Sequence, residues 1–131
     1  IHRAVETCGF ATAERYMSVI DNAAFVMMDI KLADPEQHKK WCGVDNSPIL
    51  ANFERLKASG KPHLIRVPLI PDTRENLAAI AEIVGDSPVE LLGYNSFAGA
   101  KYEGVGRVYT LENKKNREVD LTLFRNAKLS R

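Results

Sequence analysis

The segment Phe25 to Lys31, FVMMDIK, followed at once by LADPEQHKKWCG up to Gly43, decides how the rest of the chain is read. Its opening apolar run reads as a strand buried on both faces, as in a parallel sheet covered by helices. Asp34-Pro35 is then a helix start, with proline at the first helical position, and Gly43 is a stop. Strand followed directly by helix is half of a βαβ unit. The strand's exit is unusual, because Asp29 and Lys31 place opposite charges among its last three residues. Period two puts Met27, Asp29 and Lys31 on one face, opposite Met28 and Ile30. Charges on an inward face are costly without partners or a ligand.

Outward from this segment the same alternation recurs. A strand at about Arg3 to Cys8 precedes a helix through Ala11 to Ile20, with Ala13, Tyr16, Met17 and Ile20 on one face. After Gly43, Ser47-Pro48 repeats the start signal, and Ile49, Leu50, Phe53 and Leu56 form the stripe of a helix stopping at Gly60. His63 to Ile70 is a third strand, ended or disturbed by Pro68, which has no donor for a central ladder. A helix beginning at Asp72, with Glu75 three residues on as an acidic capping box, runs to Gly85. Val89 to Tyr94 is a fourth strand. A Gly- and Ala-rich loop, NSFAGAKYEGVGR, leads to a last amphipathic helix within about Glu112 to Leu129. Strands alternating with helices require parallel pairing through right-handed crossovers, in a doubly wound sheet or part of a barrel. About four parallel strands are too few to close a barrel, so the expected architecture is α/β, an open arc of a partial (β/α) barrel with an edge that needs cover.

Composition sets the limits. The 131 residues fit one domain, 1–131, and 45% hydrophobic with 27% charged residues is an ordinary globular balance. A formal charge of +1, from 18 basic and 17 acidic residues, gives no electrostatic case for nucleic acid or an anionic membrane. No run approaches a membrane span and no signal-peptide pattern is visible, so a cytoplasmic location is expected. Ile1 opens the chain inside an apparent strand, which suggests a piece of something longer. Cys8 and Cys42 make no disulfide framework and are expected as reduced, buried or spectator thiols. Two thiolates cannot hold an iron–sulfur cluster, which typically needs three or four.

Ligands of parallel α/β folds bind beyond the carboxyl ends of the strands. Here those exits carry Glu6, Thr7 and Cys8, then Asp29 and Lys31, then Arg66, then Tyr94 and Asn95: the polar rim of a small-molecule pocket. Against a site role stands an equally good structural reading, with Glu6 and Asp29 as a helix-capping acid and a partner for a neighbouring base and Lys31 as a lysine snorkelling to solvent. Arg66 lies among Leu64, Ile65, Val67 and Leu69, so it is either paired with a core acid or clamps a carboxylate or phosphate. The three histidines have no mutual metal-ligand spacing, and His38, beside Lys39 and Lys40, is expected at the surface. Gly99, Gly104 and Gly106 do not follow the Gly pattern of dinucleotide binders, so a flexible loop is expected there.

Four stretches, AVETCGF at 4–10, FVMMDIKLADPEQHKKWCGVDNSPILANFERL at 25–56, IRVPLIPD at 65–72 and ELLGYNSFAGAKYEGVGR at 90–107, occur in order at successive strand exits. Together they resemble the later part of the glycyl-radical-enzyme activating enzymes, the radical S-adenosylmethionine group that includes pyruvate formate-lyase activating enzyme. The resemblance implies an oxidoreductase with a partial (β/α)6 barrel holding a [4Fe–4S] cluster and S-adenosylmethionine. Reductive cleavage there gives a 5′-deoxyadenosyl radical that takes hydrogen from a glycine of the partner, a glycyl radical enzyme. By motif, it places a monovalent cation at Glu6, Thr7, the Met27 carbonyl and Asp29, and S-adenosylmethionine contacts at Lys31, Arg66 and Asn95. It assigns no catalytic side chain. The three-cysteine motif C-x3-C-x2-C and the Gly-Gly-Glu motif are absent and would precede Ile1. Asp72 and Gly93 depart from the family's usual Gly and Pro. These 131 residues alone are therefore expected to be inactive. Two other readings use the same exits: an aldolase-like half-barrel with a Schiff base on Lys31, and a non-catalytic α/β domain that forms a homo-oligomer through its open edge.

Overall fold

The computed structural model describes residues 1–70, 75–94, 99–109 and 119–130, without the side chain of Ala100. Among the described residues, five strands and five helices follow one another as β1 (Ala4–Thr7), α1 (Ala13–Ile20), β2 (Phe25–Asp29), α2 (Pro35–Cys42), α3 (Ser47–Ala58), β3 (His63–Pro68), α4 (Leu77–Val84), β4 (Val89–Leu92), α5 (Gly99–Gly104) and β5 (Ala127–Ser130). A 3₁₀ turn, Leu121–Leu123, precedes β5. The strands form one open parallel sheet in the order β1-β2-β3-β4-β5. Sequential order is the arrangement expected of an open arc, and a doubly wound sheet would reverse it.

The core explains which face is covered. Val26, Met28 and Ile30 of the β2 segment, Ile65, Val67 and Leu69 of the β3 segment, and Val89 and Leu91 of β4 pack against Tyr16 and Ile20 of α1, Ile49, Phe53 and Leu56 of α3, and Ile80 and Val84 of α4. All are alternate residues of their strands, so the helices share one face of the sheet. The expectation that β2 is buried on both faces is therefore corrected. Val26 and Met28 are fully buried while Phe25, Met27 and Asp29 are only half-buried, because the core helices α1, α3 and α4 pack on the other face.

Local signals account for the boundaries. Asp34 caps α2 by accepting from the Gln37 N–H at 2.7 Å, Pro35 opens the helix, and Gly43 ends it in the left-handed region at φ 84°. Pro68 ends β3 and Gly85 ends α4, as read from the sequence. The capping box at Asp72 lies outside the described residues.

Three expectations give way. The last helix is replaced, within the described residues, by the Leu121–Leu123 turn and by β5, which pairs with β4 and makes a fifth strand. The physical reason is the open edge of β4: its Val89 and Gly93 N–H groups donate to the carbonyls of Asn126 and Ser130, at 2.8 and 3.0 Å. The Gly-rich loop contains α5, since Ala100 to Glu103 suit a helix between its terminal glycines. Finally, Cys8 and Cys42 are free thiols but not buried: Cys8 follows the end of β1 and Cys42 is the last residue of α2, and both are exposed.

Candidate functional site

The face opposite α1, α3 and α4 carries a row of alternating charge. In register, Asp29 of β2 pairs with Arg66 of β3, Arg66 with Glu90 of β4, and Glu90 with Lys128 of β5. Each side chain stands on the same face as its neighbour, one strand spacing of about 4.8 Å away. Opposite charges directly across a sheet attract, so the row is self-consistent.

Arg66 is its centre. Its Nε–H donates to Asp29 Oδ1 at 3.0 Å, and an Nη–H reaches past β2 to Glu6 Oε2 on β1, also at 3.0 Å. Burial works against the guanidinium's charge, but Asp29 and Glu6 outweigh it and raise its pKa above the ordinary arginine value. The Arg66 and Asp29 side chains are only 19% and 26% exposed, so this bond is shielded. Glu6 is 59% exposed and its bond is correspondingly screened. Lys31 Nζ stands 3.7 Å from Asp29 Oδ2. At the far end of the row, Glu90 accepts from the Ser130 hydroxyl and from Lys128 Nζ at 3.1 Å, and these two hold its carboxyl below the usual glutamate range.

Five of the seven residues singled out from the sequence, Glu6, Met27, Asp29, Lys31 and Arg66, thus come together on one face at one end of β1, β2 and β3, while the sixth, Thr7, alternates to the covered face in register with Met28. Glu6 and Thr7 lie in register with Met27 and Met28, and Asp29, Lys31 and Arg66 follow on the adjoining strands. The seventh, Asn95, lies outside the described residues. Glu6 and Asp29 both bond Arg66, which is the pairing with a neighbouring base that the structural reading expects. Lys31 is not enclosed: its side chain is 35% exposed, which lacks the burial that a Schiff-base lysine needs.

The loops behind this rim depend on residues the sequence reading passed over. Asn46 and Asn52 are 2% and 1% exposed, and their amides donate to carbonyls of the β2 and β1 exit loops. A signal was available for Asn52, which interrupts the stripe of Ile49, Phe53 and Leu56. His38 is also buried, not at the surface, because its Nδ1 bonds the Val44 carbonyl at 2.6 Å and closes the α2–α3 turn. Gly9 takes φ 71°, and a Cβ there would stand 2.4 Å from Met28 Cε. A separate cleft of about 520 Å³ between Phe10, Lys39, Val44 and Pro48 opens on the helical side and contains no member of the charged row.

Among the described residues no group of three or more His, Cys, Asp or Glu is placed to hold a metal ion, and no helix is long and apolar enough to cross a membrane. The whole chain has two cysteines, so its donor set does not fit an iron–sulfur cluster. The rim presents Lys31 and Arg66, whose charge suits a carboxylate, beside Asp29 and Glu6, whose charge suits a cation.

No family model matches the chain. Among curated proteins it is 36% identical over 114 residues to the isethionate sulfite-lyase activating enzyme of Nitratidesulfovibrio vulgaris, a match covering 82% of this chain and 37% of that protein. It is also 36% identical over 117 residues to the trans-4-hydroxy-L-proline dehydratase activating enzyme of Clostridioides difficile, covering 83% of this chain and 39% of that one. The chain therefore spans under two fifths of the length of these relatives. A solved domain of pyruvate-formate lyase-activating enzyme from Bacteroides vulgatus superposes with TM-score 0.75 at 24% identity, over 99% of this chain and 81% of that domain, and shows the same fold.

Proposed function

Starting from a chain that is homologous over 82% of its length to activating enzymes of glycyl radical enzymes, we propose that its 131 residues form the later part of such an enzyme's partial barrel. In this reading they act in the cytoplasm, on a partner that is itself a glycyl radical enzyme. The observation that carries the reading is the convergence of Glu6, Asp29, Lys31 and Arg66 on one face at the strand exits.

S-adenosylmethionine, when bound, supplies the radical chemistry. What these residues do is bind and orient. Arg66 and Lys31 offer a guanidinium and an ammonium for the methionyl carboxylate, and Arg66's planar fork gives that contact direction. Glu6, Thr7, the Met27 carbonyl and Asp29 are proposed to hold a monovalent cation, and Asn95 to meet the adenosyl group. For the cation to bind, Arg66 must leave the two carboxylates it now bridges. The cluster ligands are assigned to a segment other than this one, because two exposed thiols cannot supply them.

The test is anaerobic reconstitution with iron and sulfide. The 131 residues alone are expected to develop no iron–sulfur absorption and to leave S-adenosylmethionine intact. Joined to a segment carrying the three-cysteine motif, they are expected to release methionine and 5′-deoxyadenosine on reduction. A brown, cleaving preparation of the 131 residues alone would refute the division of labour, and an inert joined protein would refute the reading.

A further inference from the structure

We infer that Asn46, at the N-cap of α3, and Asn52, within it, are positioning residues, a two-point clamp that sets the β1 and β2 exit loops relative to each other. The assignment of these loops to a cofactor pocket rests on the function proposed above, but the clamp itself is visible in the bonding.

Asn52 gives both of its amide N–H donors to one loop, to the carbonyls of Gly9 at 2.8 Å and Ala11 at 2.9 Å. The Gly9 N–H in turn donates to Thr7 Oγ1 at 2.9 Å. The segment leaving β1 just after Glu6 is thus tied at its start and its end. Asn46 treats the next exit in the same way, donating to the carbonyls of Leu32 at 2.9 Å and Ala33 at 2.8 Å, immediately after Lys31. The following N–H, that of Asp34, donates to Asn76 Oδ1 at 3.2 Å. Three consecutive residues beyond Lys31 are therefore held by asparagine side chains.

Two features separate this from routine satisfaction of buried polar groups. Asn46 is the N-cap of α3, yet its side chain makes no capping bond. A capping asparagine ordinarily contributes about 1 kcal/mol to its own helix, and here that interaction is given up for the neighbouring loop. Secondly, Asn46 caps the same helix that carries Asn52, six residues and about 9 Å further along, so one rigid element fixes the distance between the two exits. A change at either amide should reach Arg66, because Arg66 bridges Glu6 on one exit strand to Asp29 on the other.

The experiment compares Asn52→Asp and Asn46→Asp, which keep shape but cannot donate, with Ile80→Val, a mild core change on α4. Asn52→Ala and Asn46→Ala replace the aspartates if those do not fold. Hydrogen exchange of the Arg66 Nε–H, followed by NMR in the 131-residue protein, reads the bridge directly. It is expected to accelerate at least about tenfold in the asparagine variants and less than about twofold in Ile80→Val at equal loss of melting temperature. Exchange in the asparagine variants no faster than in Ile80→Val would overturn the clamp. S-adenosylhomocysteine binding, measured in the joined protein, addresses the pocket separately: no binding by the unsubstituted protein rejects the function reading, while the exchange result still decides the clamp.

Discussion

The two faces of this sheet are built from alternate residues of the same strands, and they differ in almost every respect. On one, Val26, Met28, Ile65, Val67 and Leu91 are fully buried beneath α1, α3 and α4. On the other, Asp29, Arg66, Glu90 and Lys128 lie in a row across four neighbouring strands. The covered face gains its stability from apolar burial, which is non-directional and tolerant of repacking. The open face depends on directed, charge-assisted bonds that a ligand can replace. The contrast separates what makes the chain fold from what makes it a candidate for binding.

The sharpest way to break the contrast is to damage the covered face. Phe53→Ala, at a fully buried site, should cost about 3 to 5 kcal/mol and show in the urea midpoint. A loss under about 1 kcal/mol would mean the helices do not close this face as described. On the open face, Arg66→Ala should cost less, about 1 to 3 kcal/mol, because Asp29 is half-buried while Glu6 is screened by water. A double-mutant cycle with Asp29→Asn should return a coupling of about 1 kcal/mol, and zero coupling would remove Arg66 from the centre of the row. Between the faces, Gly9→Ala places a Cβ against Met28 Cε on a backbone at φ 71°. The expected cost is about 1 to 2 kcal/mol by thermal melting, since the methionine end can yield but the backbone cannot.

The smallest effect should appear with pH. Glu90 has its folded pKa depressed by the Ser130 hydroxyl and Lys128, so its contribution to stability is fully present above the ordinary glutamate pKa. That contribution is lost as pH falls through the depressed folded value, and stability should therefore rise with pH across this window. Glu90→Gln should flatten that part of the acid limb. An unchanged slope would show that the far end of the row is uncoupled from folding.

Much of the covered face was legible from sequence because burial follows periodicity. The stripe in Ile49, Phe53 and Leu56 has one solution consistent with the turn signals around it, whereas the apolar run of FVMMDIK reads as buried on both faces and hides that only one is covered. The exits were legible for the same reason, since opposite charges at the ends of apolar strands need partners. The fifth strand was not, because AKLS has no strand pattern and is placed by the free edge of β4. Nor were the buried roles of His38, Asn46 and Asn52. Polar residues in helical stretches read as solvated, and only the three-dimensional approach of the exit loops supplies the carbonyls that accept from the two asparagines.

The central claim is that the open face is one wall of an S-adenosylmethionine pocket. It is tested most directly by measuring reductive cleavage in the protein that joins these residues to a three-cysteine segment, with and without Arg66→Ala. The account predicts cleavage by the unsubstituted protein, and a KM for S-adenosylmethionine at least about tenfold higher in the variant, from loss of a charge-assisted bidentate contact of about 1.5 to 3 kcal/mol. Cleavage with the same KM in both proteins would contradict it.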